Sequence, residues 1–312
     1  MTTITKTAVD PQTDLQPALF YASAREGMED FLSAVLDDPQ DGVLLPAFIG
    51  WSANEGSGVF DPVLNVGARA GFYGLHADLS VDVEALESML ETEKFRVLVV
   101  IHYFGRTDPR IAELRELADR HGMLLVEDLA HGFYSSRGSN GAGSFGDMNL
   151  FSLHKMFPVS EGGMITYPRA DLVTSQKSTR PALAATILSY NWASIASARR
   201  HNFNATIELL RALPEHGTDF TLLWPGLDGS DVPQTLPVRV TGDNRDAIYR
   251  GMNEAGFGMV SLYHTLIAPV RSGFELENDL SRHIINFPVH QDVAAGALRA
   301  LVASFQTYLH TK

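Results

Sequence analysis

The sequence predicts an α/β fold built on a large, mostly parallel sheet and followed by a smaller carboxyl-terminal α+β part, and three observations carry that prediction. RVLVVIHYFG, residues 96–105, is an apolar run of strand length. DPRIAELRELADRHG then places Pro109 after Asp108, puts Ile111, Leu114, Leu117 and Ala118 on one face, and ends in Gly122, the pattern of a helix. LLVED, residues 124–128, is a second buried-strand pattern. Such a unit implies parallel neighbours joined by a right-handed crossover, with a ligand site at the carboxyl ends of the strands. His102 and Asp128 fall at those ends.

The other elements follow in order. Residues 1–16, rich in Thr, Asp and Pro without apolar periodicity, are expected to be a loosely attached tail. FYASAREGMEDFLSAVL predicts a helix capped by Ser23, with Met28, Phe31, Leu32, Val35 and Leu36 inward, and a capped helix start can bind anions. VLLPAF from Val43 reads as a strand, followed by a loop marked by Gly50, Gly56 and Gly58. Trp51 sits just past that strand, where core packing and ring stacking are equally open readings. ARAGFYGL predicts a strand and VDVEALESMLETEK a helix.

Beyond LLVED, the loop from Gly132 to Gly146 holds further glycines at 138, 141 and 143, so it is expected to be a mobile or backbone-constrained crossing. NLFSL and MITY read as strands separated by Pro158 and the Gly162-Gly163 pair. The character changes near Pro168, and after a polar stretch to Thr186 the run ILSYNWASIASARRHNFNATIELLRAL predicts one long helix or two. That run is expected to join a large domain, residues 17–185, to a small one, residues 186–312, where LPVRV, NRDAIYRGMNEAG, MVSLYH, HIINFPV and AGALRALVASFQTYL follow.

Length and composition narrow the function. A chain of 312 residues, 45% hydrophobic and 20% charged, can bury a substantial core. It has neither a bilayer-length apolar run nor a basic, apolar leader, so cytoplasmic residence is expected and no membrane role. The absence of cysteine excludes disulfides, thiolate metal sites and cysteine nucleophiles. A net charge of -13 argues against a nucleic-acid surface, which would need clustered Lys and Arg.

Asp128, His131, Ser152, His154 and Lys155 could therefore gather at one sheet edge. A carboxylate ending a buried strand and a lysine after a neighbouring strand suit pyridoxal 5'-phosphate (PLP): the lysine forms a Schiff base with the aldehyde, and the carboxylate keeps the pyridine nitrogen protonated. Each residue also has a plainer reading. Lys155 could be a solvated lysine, Asp128 a loop cap, and His131 and His154 hydrogen-bonded loop histidines. Glu127 alternates to the opposite face and is expected to be structural. No HExxH-like spacing supports a metal site, and no GxGxxG follows a strand to support a dinucleotide.

Taken together, HYFG, ELADRHGMLLVEDLAHGF, GSFGDMNLFSLHK, EGGMITY, ARRHNFN and INFPVHQD resemble, in order, blocks of the DegT/DnrJ/StrS-type sugar aminotransferases, PLP-dependent enzymes of fold type I. The resemblance implies that Asp128 pairs with the pyridine nitrogen, Lys155 carries the cofactor, and His131 lies near its phenolic oxygen. SAREGM resembles the family's SGTxAL turn, so Ser23, Ala24 and Arg25 are expected at the phosphate, with the Arg25 guanidinium in place of a threonine hydroxyl. Trp51 resembles the aromatic that stacks on the cofactor ring. Ser152 is expected at the phosphate, although it stands only three residues before Lys155, as though two residues were deleted. Asn191 resembles an asparagine donated to the partner subunit's phosphate, and His154 and His264 are expected near the substrate.

The implied protein is a shortened family member, a homodimer with shared active sites, that moves an amino group from an amino donor to a keto acceptor, by analogy a nucleotide-linked keto sugar. Another PLP-dependent outcome, elimination, dehydration or condensation on an amino-acid-derived substrate, stays open. So does a non-catalytic ligand-binding relative, although retention of both Asp128 and Lys155 speaks against it.

Overall fold

The computed structural model describes residues 18–38, 40–137, 141–168, 180–229 and 231–310; the expected tail, Gly138 and most of the polar stretch after Pro168 lie outside them. Its centre is a seven-stranded sheet in the order β1-β7-β6-β5-β4-β2-β3. The strands are β1 (Ala18–Tyr21), β2 (Gly42–Pro46), β3 (Arg69–Tyr73), β4 (Val97–Ile101), β5 (Leu124–Asp128), β6 (Met148–Ser152) and β7 (Gly163–Thr166). β3, β2, β4, β5 and β6 run parallel, while β7 returns antiparallel to β6 and β1 antiparallel to β7. Every residue of β4 and β5 is buried, as strands covered on both faces require.

Helices α1 (Ala24–Val35), α2 (Phe60–Asn65), α3 (Val83–Leu90) and α4 (Ile111–Arg120) cover this sheet. The apolar stripe read from the sequence is the buried one in α4 and, up to Val35, in α1; Leu36 falls at the carboxyl cap of α1 and is half-buried. α4 begins at Ile111 rather than Pro109, because the Asp108 carboxylate accepts the Arg110 N–H at 2.8 Å and holds the preceding residues in a turn. α3 stops at Leu90, short of the expected TEK, where nothing apolar remains to bury.

The linking run is two helices, α5 (Pro181–Ser189) and α6 (Trp192–Arg211), broken where the Asn191 side chain caps α6 by accepting the Ser194 N–H at 3.0 Å. α5 begins inside the stretch read as polar. Ile187 and Trp192 pack with Phe133 and Phe151 beside the large sheet, whereas Phe203, Ile207 and Leu210 belong to a second core. Later in the chain, Trp224, Leu266, Ile267, Val270 and Leu280 return to the core of the large sheet.

That second core lies between α6, α7 (Arg245–Glu254) and α9 (Ala295–Leu309) and an antiparallel sheet in the order β10-β9-β8: β8 (Phe220–Leu222), β9 (Thr235–Val240) and β10 (Ile284–Pro288). α8 (Glu275–His283) leads into β10. β1, α2, β8 and α8 are elements the sequence reading did not assign. MVSLYH is a loop, tied to β10 by a bridge from Val260 to Asn286 and by the Asn286 side-chain amide, which donates to the Leu262 carbonyl at 3.4 Å. No described helix is long and apolar enough to cross a membrane.

Candidate active site

The carboxyl ends of β4, β5 and β6 open into a cavity of about 750 Å³. Ser23, Ala24, Arg25, Trp51, Asp128, His131, Ser152, His154, Lys155 and His264 all line it; Asn191, exposed at the start of α6, does not.

Asp128 ends β5 with its carboxylate enclosed. One oxygen accepts the Ala130 N–H at 2.8 Å, and the other has no partner among the described residues. Burial raises its pKa, an effect that the Ala130 N–H, Lys155 and His102 only partly oppose. Three residues on, His131 accepts the Phe104 N–H on Nδ1 at 3.3 Å, which leaves its proton on Nε2, 3.3 Å from Lys155 Nζ. An amine that accepts that proton's hydrogen bond is uncharged. Burial, with Lys155 beside it, pushes His131 well below the ordinary histidine range. Crowding at the cavity floor lowers Lys155 in turn, against the pull of Asp128 and Glu55, although its side chain remains open to the cavity. The nucleophilic form of the lysine is the one this geometry favours.

Lys155 sits in a single helical turn, Leu153–Lys155, directly after β6. The Ser152 hydroxyl meets His154 Nδ1 at 3.4 Å, and burial followed by the Lys155 charge lowers His154. On the opposite wall the Ser23 hydroxyl accepts the Glu26 N–H at 3.2 Å, and the Glu26 carboxylate answers by accepting the Ala22 N–H at 2.9 Å. The first-turn N–H groups of Ala24 and Arg25 are left for a ligand. Gly163 makes this approach possible, because a Cβ there would collide with the Ser23 carbonyl and the Ala24 nitrogen. Arg25 turns toward the next loop, donating to the Glu55 carbonyl and lying 3.7 Å from Asp61, while its buried Nε has no partner among the described residues.

Trp51 stands at the rim, 44% exposed. His264 lines the same cavity with Nδ1 3.1 Å from the Ser261 hydroxyl and Nε2 buried without a hydrogen bond of normal geometry among the described residues; burial and Arg245, only partly opposed by the Ile284 backbone, push it to about 3. The residue the sequence reading missed is its neighbour Tyr263, which reaches the cavity floor beside His131. LYHT has no periodicity to mark it.

Glu127 and His102, buried behind the site, are used structurally. Glu127 accepts from His102 Nε2 at 2.8 Å and from the N–H groups of Gly143, Phe145 and Gly146, so residues 143–146 of the glycine loop are held through their backbone. His102 Nδ1 accepts the Asp108 N–H at 3.0 Å, so both of its nitrogens are committed. His76, Asp82 and Glu84 form a cluster of metal-ligating type, their ligand atoms within 4.8 Å of one another, but Glu84 is exposed and already bound to Arg110 at 2.8 Å.

Comparison with known proteins places this geometry. The chain is 30% identical over 106 residues to GDP-perosamine synthase of Vibrio cholerae, covering 33% of this chain and 28% of that protein. It is 29% identical over 163 residues to UDP-4-amino-4-deoxy-L-arabinose–oxoglutarate aminotransferase of Shewanella sediminis, covering 51% and 40%. To L-glutamine:2-deoxy-scyllo-inosose aminotransferase of Streptomyces kanamyceticus it is 31% identical over 126 residues, covering 39% and 28%. The chain therefore spans less than half the length of these relatives. Among solved structures, S. venezuelae DesV superposes with a TM-score of 0.75 at 19% identity, over 95% of this chain and 85% of that one. Helicobacter pylori PseC does so with a TM-score of 0.77 at 16% identity, over 95% and 87%. These likenesses show the fold, that of the fold type I aminotransferases. Residues 14–181, more than half of the sequence, match the DegT/DnrJ/EryC1/StrS aminotransferase family, and the chain belongs to that family.

Proposed function

We propose that this protein is a PLP-dependent aminotransferase that carries an amino group from an amino-acid donor to a keto sugar or related cyclic ketone, by family analogy a nucleotide-linked keto sugar. We place it in the cytoplasm as a homodimer whose subunits complete each other's sites. One observation carries the reading: the Lys155 amine, 3.3 Å from His131 Nε2, stands in the same cavity as the half-satisfied buried carboxylate of Asp128 and the free N–H groups of a helix start.

The residues fit the cofactor. Ala24 and Arg25 present N–H groups to a phosphate, and the unpartnered Nε of Arg25 can add a charged donor. Ser152 is placed in the same cavity. The free oxygen of Asp128 is available to a pyridinium N–H, whose charge would offset the cost of a buried carboxylate. PLP supplies, when bound, an aldehyde for covalent attachment and a ring that withdraws electrons from the bond being broken.

Around it, Lys155 provides the attaching amine and, when released, moves a proton at the substrate carbon. Asp128 would keep the ring-nitrogen proton in place, and His131 would offer its Nε2–H to the phenolic oxygen. Trp51, at the rim, would cover the ring and exclude water from it with a flat apolar side chain. His154 and His264 face the substrate side, and Asn191 serves the partner subunit's phosphate.

The test is direct. Protein loaded with PLP should absorb visible light, borohydride should fix the cofactor to Lys155, and glutamate or glutamine should convert the bound cofactor to its amine form. Failure to take up PLP would sink the reading. Uptake without conversion by any donor would instead favour elimination, dehydration or condensation chemistry.

A further inference from the structure

Three non-glycine residues among those described hold a positive φ: Leu79 at 65°, Phe104 at 53° and Tyr263 at 59°. Two of them converge on one imidazole. The Phe104 ring stacks on His131 at 5.9 Å with 5° between planes, and Tyr263 meets the same ring edge-on at 6.0 Å and 83°. The two aromatic rings also touch each other, at 5.6 Å and 86°.

A left-handed backbone is strained at a bulky residue and persists only where its surroundings hold it. Here both are held from the carboxyl-terminal part of the chain. The Gln234 N–H donates to the Phe104 carbonyl at 2.8 Å, and the Ser281 hydroxyl donates to the Tyr263 carbonyl at 2.7 Å. Gly105 follows Phe104 at φ 92°, and a Cβ there would collide with the Val232 carbonyl, so the turn is pressed against the same carboxyl-terminal segment.

The turn has a chemical result. With Phe104 left-handed, its N–H meets His131 Nδ1, and Nδ1 as acceptor puts the ring proton on Nε2, facing Lys155 Nζ at 3.3 Å. Were the imidazole to turn over or lose the Phe104 N–H, Nε2 could become an acceptor and the lysine would bind it as an ammonium. Phe104 blocks one face of the ring and Tyr263 limits its rotation. Tyr263 is in turn stacked on Phe48 at 4.8 Å and set edge-on to Tyr103 at 5.4 Å, so it has little freedom of its own.

We propose that the carboxyl-terminal part of the chain locks the tautomer of His131 that faces Lys155, and that Tyr263 is the positioning residue through which it does so. The consequence for catalysis rests on Lys155 being the cofactor lysine; the lock itself does not. A residue that only filled space would leave the imidazole's proton where it is when exchanged for another apolar side chain of similar reach.

The experiment uses the full chain without cofactor, labelled with 15N at histidine, with the His131 signals assigned by their loss in His131→Asn. In the wild-type protein His131 should appear as the neutral Nε2–H tautomer from about pH 6 to about pH 9. Tyr263→Phe should keep that pattern. Tyr263→Leu should give mixed tautomers or a titration midpoint raised by about one pH unit. Ser281→Ala, which frees the Tyr263 carbonyl, should shift His131 the same way by a smaller amount. With PLP bound, the pH midpoint of its visible absorbance should move in Tyr263→Leu and Ser281→Ala but not in Tyr263→Phe. Wild-type His131 signals in a folded Tyr263→Leu protein overturn the proposal. If that variant does not fold, wild-type signals in folded Ser281→Ala do so. A protein that takes up no PLP would refute the assignment of Lys155, while the histidine signals would still decide the lock.

Discussion

Glu127 and Asp128 are adjacent carboxylates at the end of β5, both enclosed, and strand alternation sends them to opposite faces of the sheet. Each oxygen of Glu127 serves two donors: His102 and Gly143 on one, Phe145 and Gly146 on the other. Asp128 has a single donor, the Ala130 N–H, and one oxygen unclaimed among the described residues. Burial alone does not separate the two. What separates them is how many lone pairs the fold has already used, because a buried charge without partners is costly and persists where a ligand supplies the missing one.

The comparison breaks most visibly in Asp128→Asn. In the proposed transamination, the variant should lose roughly a thousandfold or more in rate, since Asn could not hold a proton at the cofactor's ring nitrogen with a full negative charge. Its cofactor-free stability should hold or rise. Burial raises the Asp128 pKa in the folded state, so the folded protein binds this proton more tightly than the unfolded chain does, and ionised Asp128 costs stability above the unfolded value. Asn removes that cost. Thermal melts at neutral pH, alongside rates, check both halves; a D128N protein that melts well below wild type would mean Asp128 is as structural as its neighbour.

Glu127→Gln should do the reverse. The amide keeps one acceptor and turns an NH₂ toward donors, leaving buried N–H groups unpaired, and the loss should be about 3 kcal/mol of stability. Urea unfolding would read it. The rate per folded molecule should stay within about tenfold of wild type, because no Glu127 atom lines the cavity. A thousandfold rate loss in a well-folded E127Q protein would erase the distinction.

The same difference explains what could be read from the sequence. Period-two alternation at LLVED separates Glu127 from Asp128, and all-apolar runs such as VLVVI become fully buried strands, so the sheet and its site edge were legible. α9 was legible too, because its apolar stripe repeats at helical spacing. Elements with little to bury were not: α2 is six residues long with only Pro62 and Val63 inside, β8 is three residues, and α8 buries Leu280 with Glu277 and Ser281 while its other leucine, Leu276, is exposed. Tyr263 was missed for a further reason. Its place at the cavity floor depends on a left-handed backbone and on Ser281, eighteen residues later, and neither leaves a local pattern.

The smallest effect carries the comparison from carboxylates to histidines. Both nitrogens of His102 are committed, to Glu127 and to the Asp108 N–H, and although burial opposes its charge, the Glu127 hydrogen bond and the nearby acids raise its pKa overall. His264 has a buried Nε2 without a hydrogen bond of normal geometry among the described residues, and burial with Arg245, only partly opposed by the Ile284 backbone, pushes it to about 3. A base lowered in the folded state binds fewer protons there than in the unfolded chain. Its stability is therefore complete above the unfolded value and is lost as pH falls through that value toward the folded one. Between about pH 6.5 and about pH 5 His264 should remove at most about 2 kcal/mol, whereas His102, raised in the folded state, works in the opposite direction. His264→Leu should accordingly flatten the acid side of the stability profile, measured by urea midpoints across that range. An unchanged slope would mean that this orphaned nitrogen finds a partner in solution, and that counting satisfied atoms separates the carboxylates better than it separates the histidines.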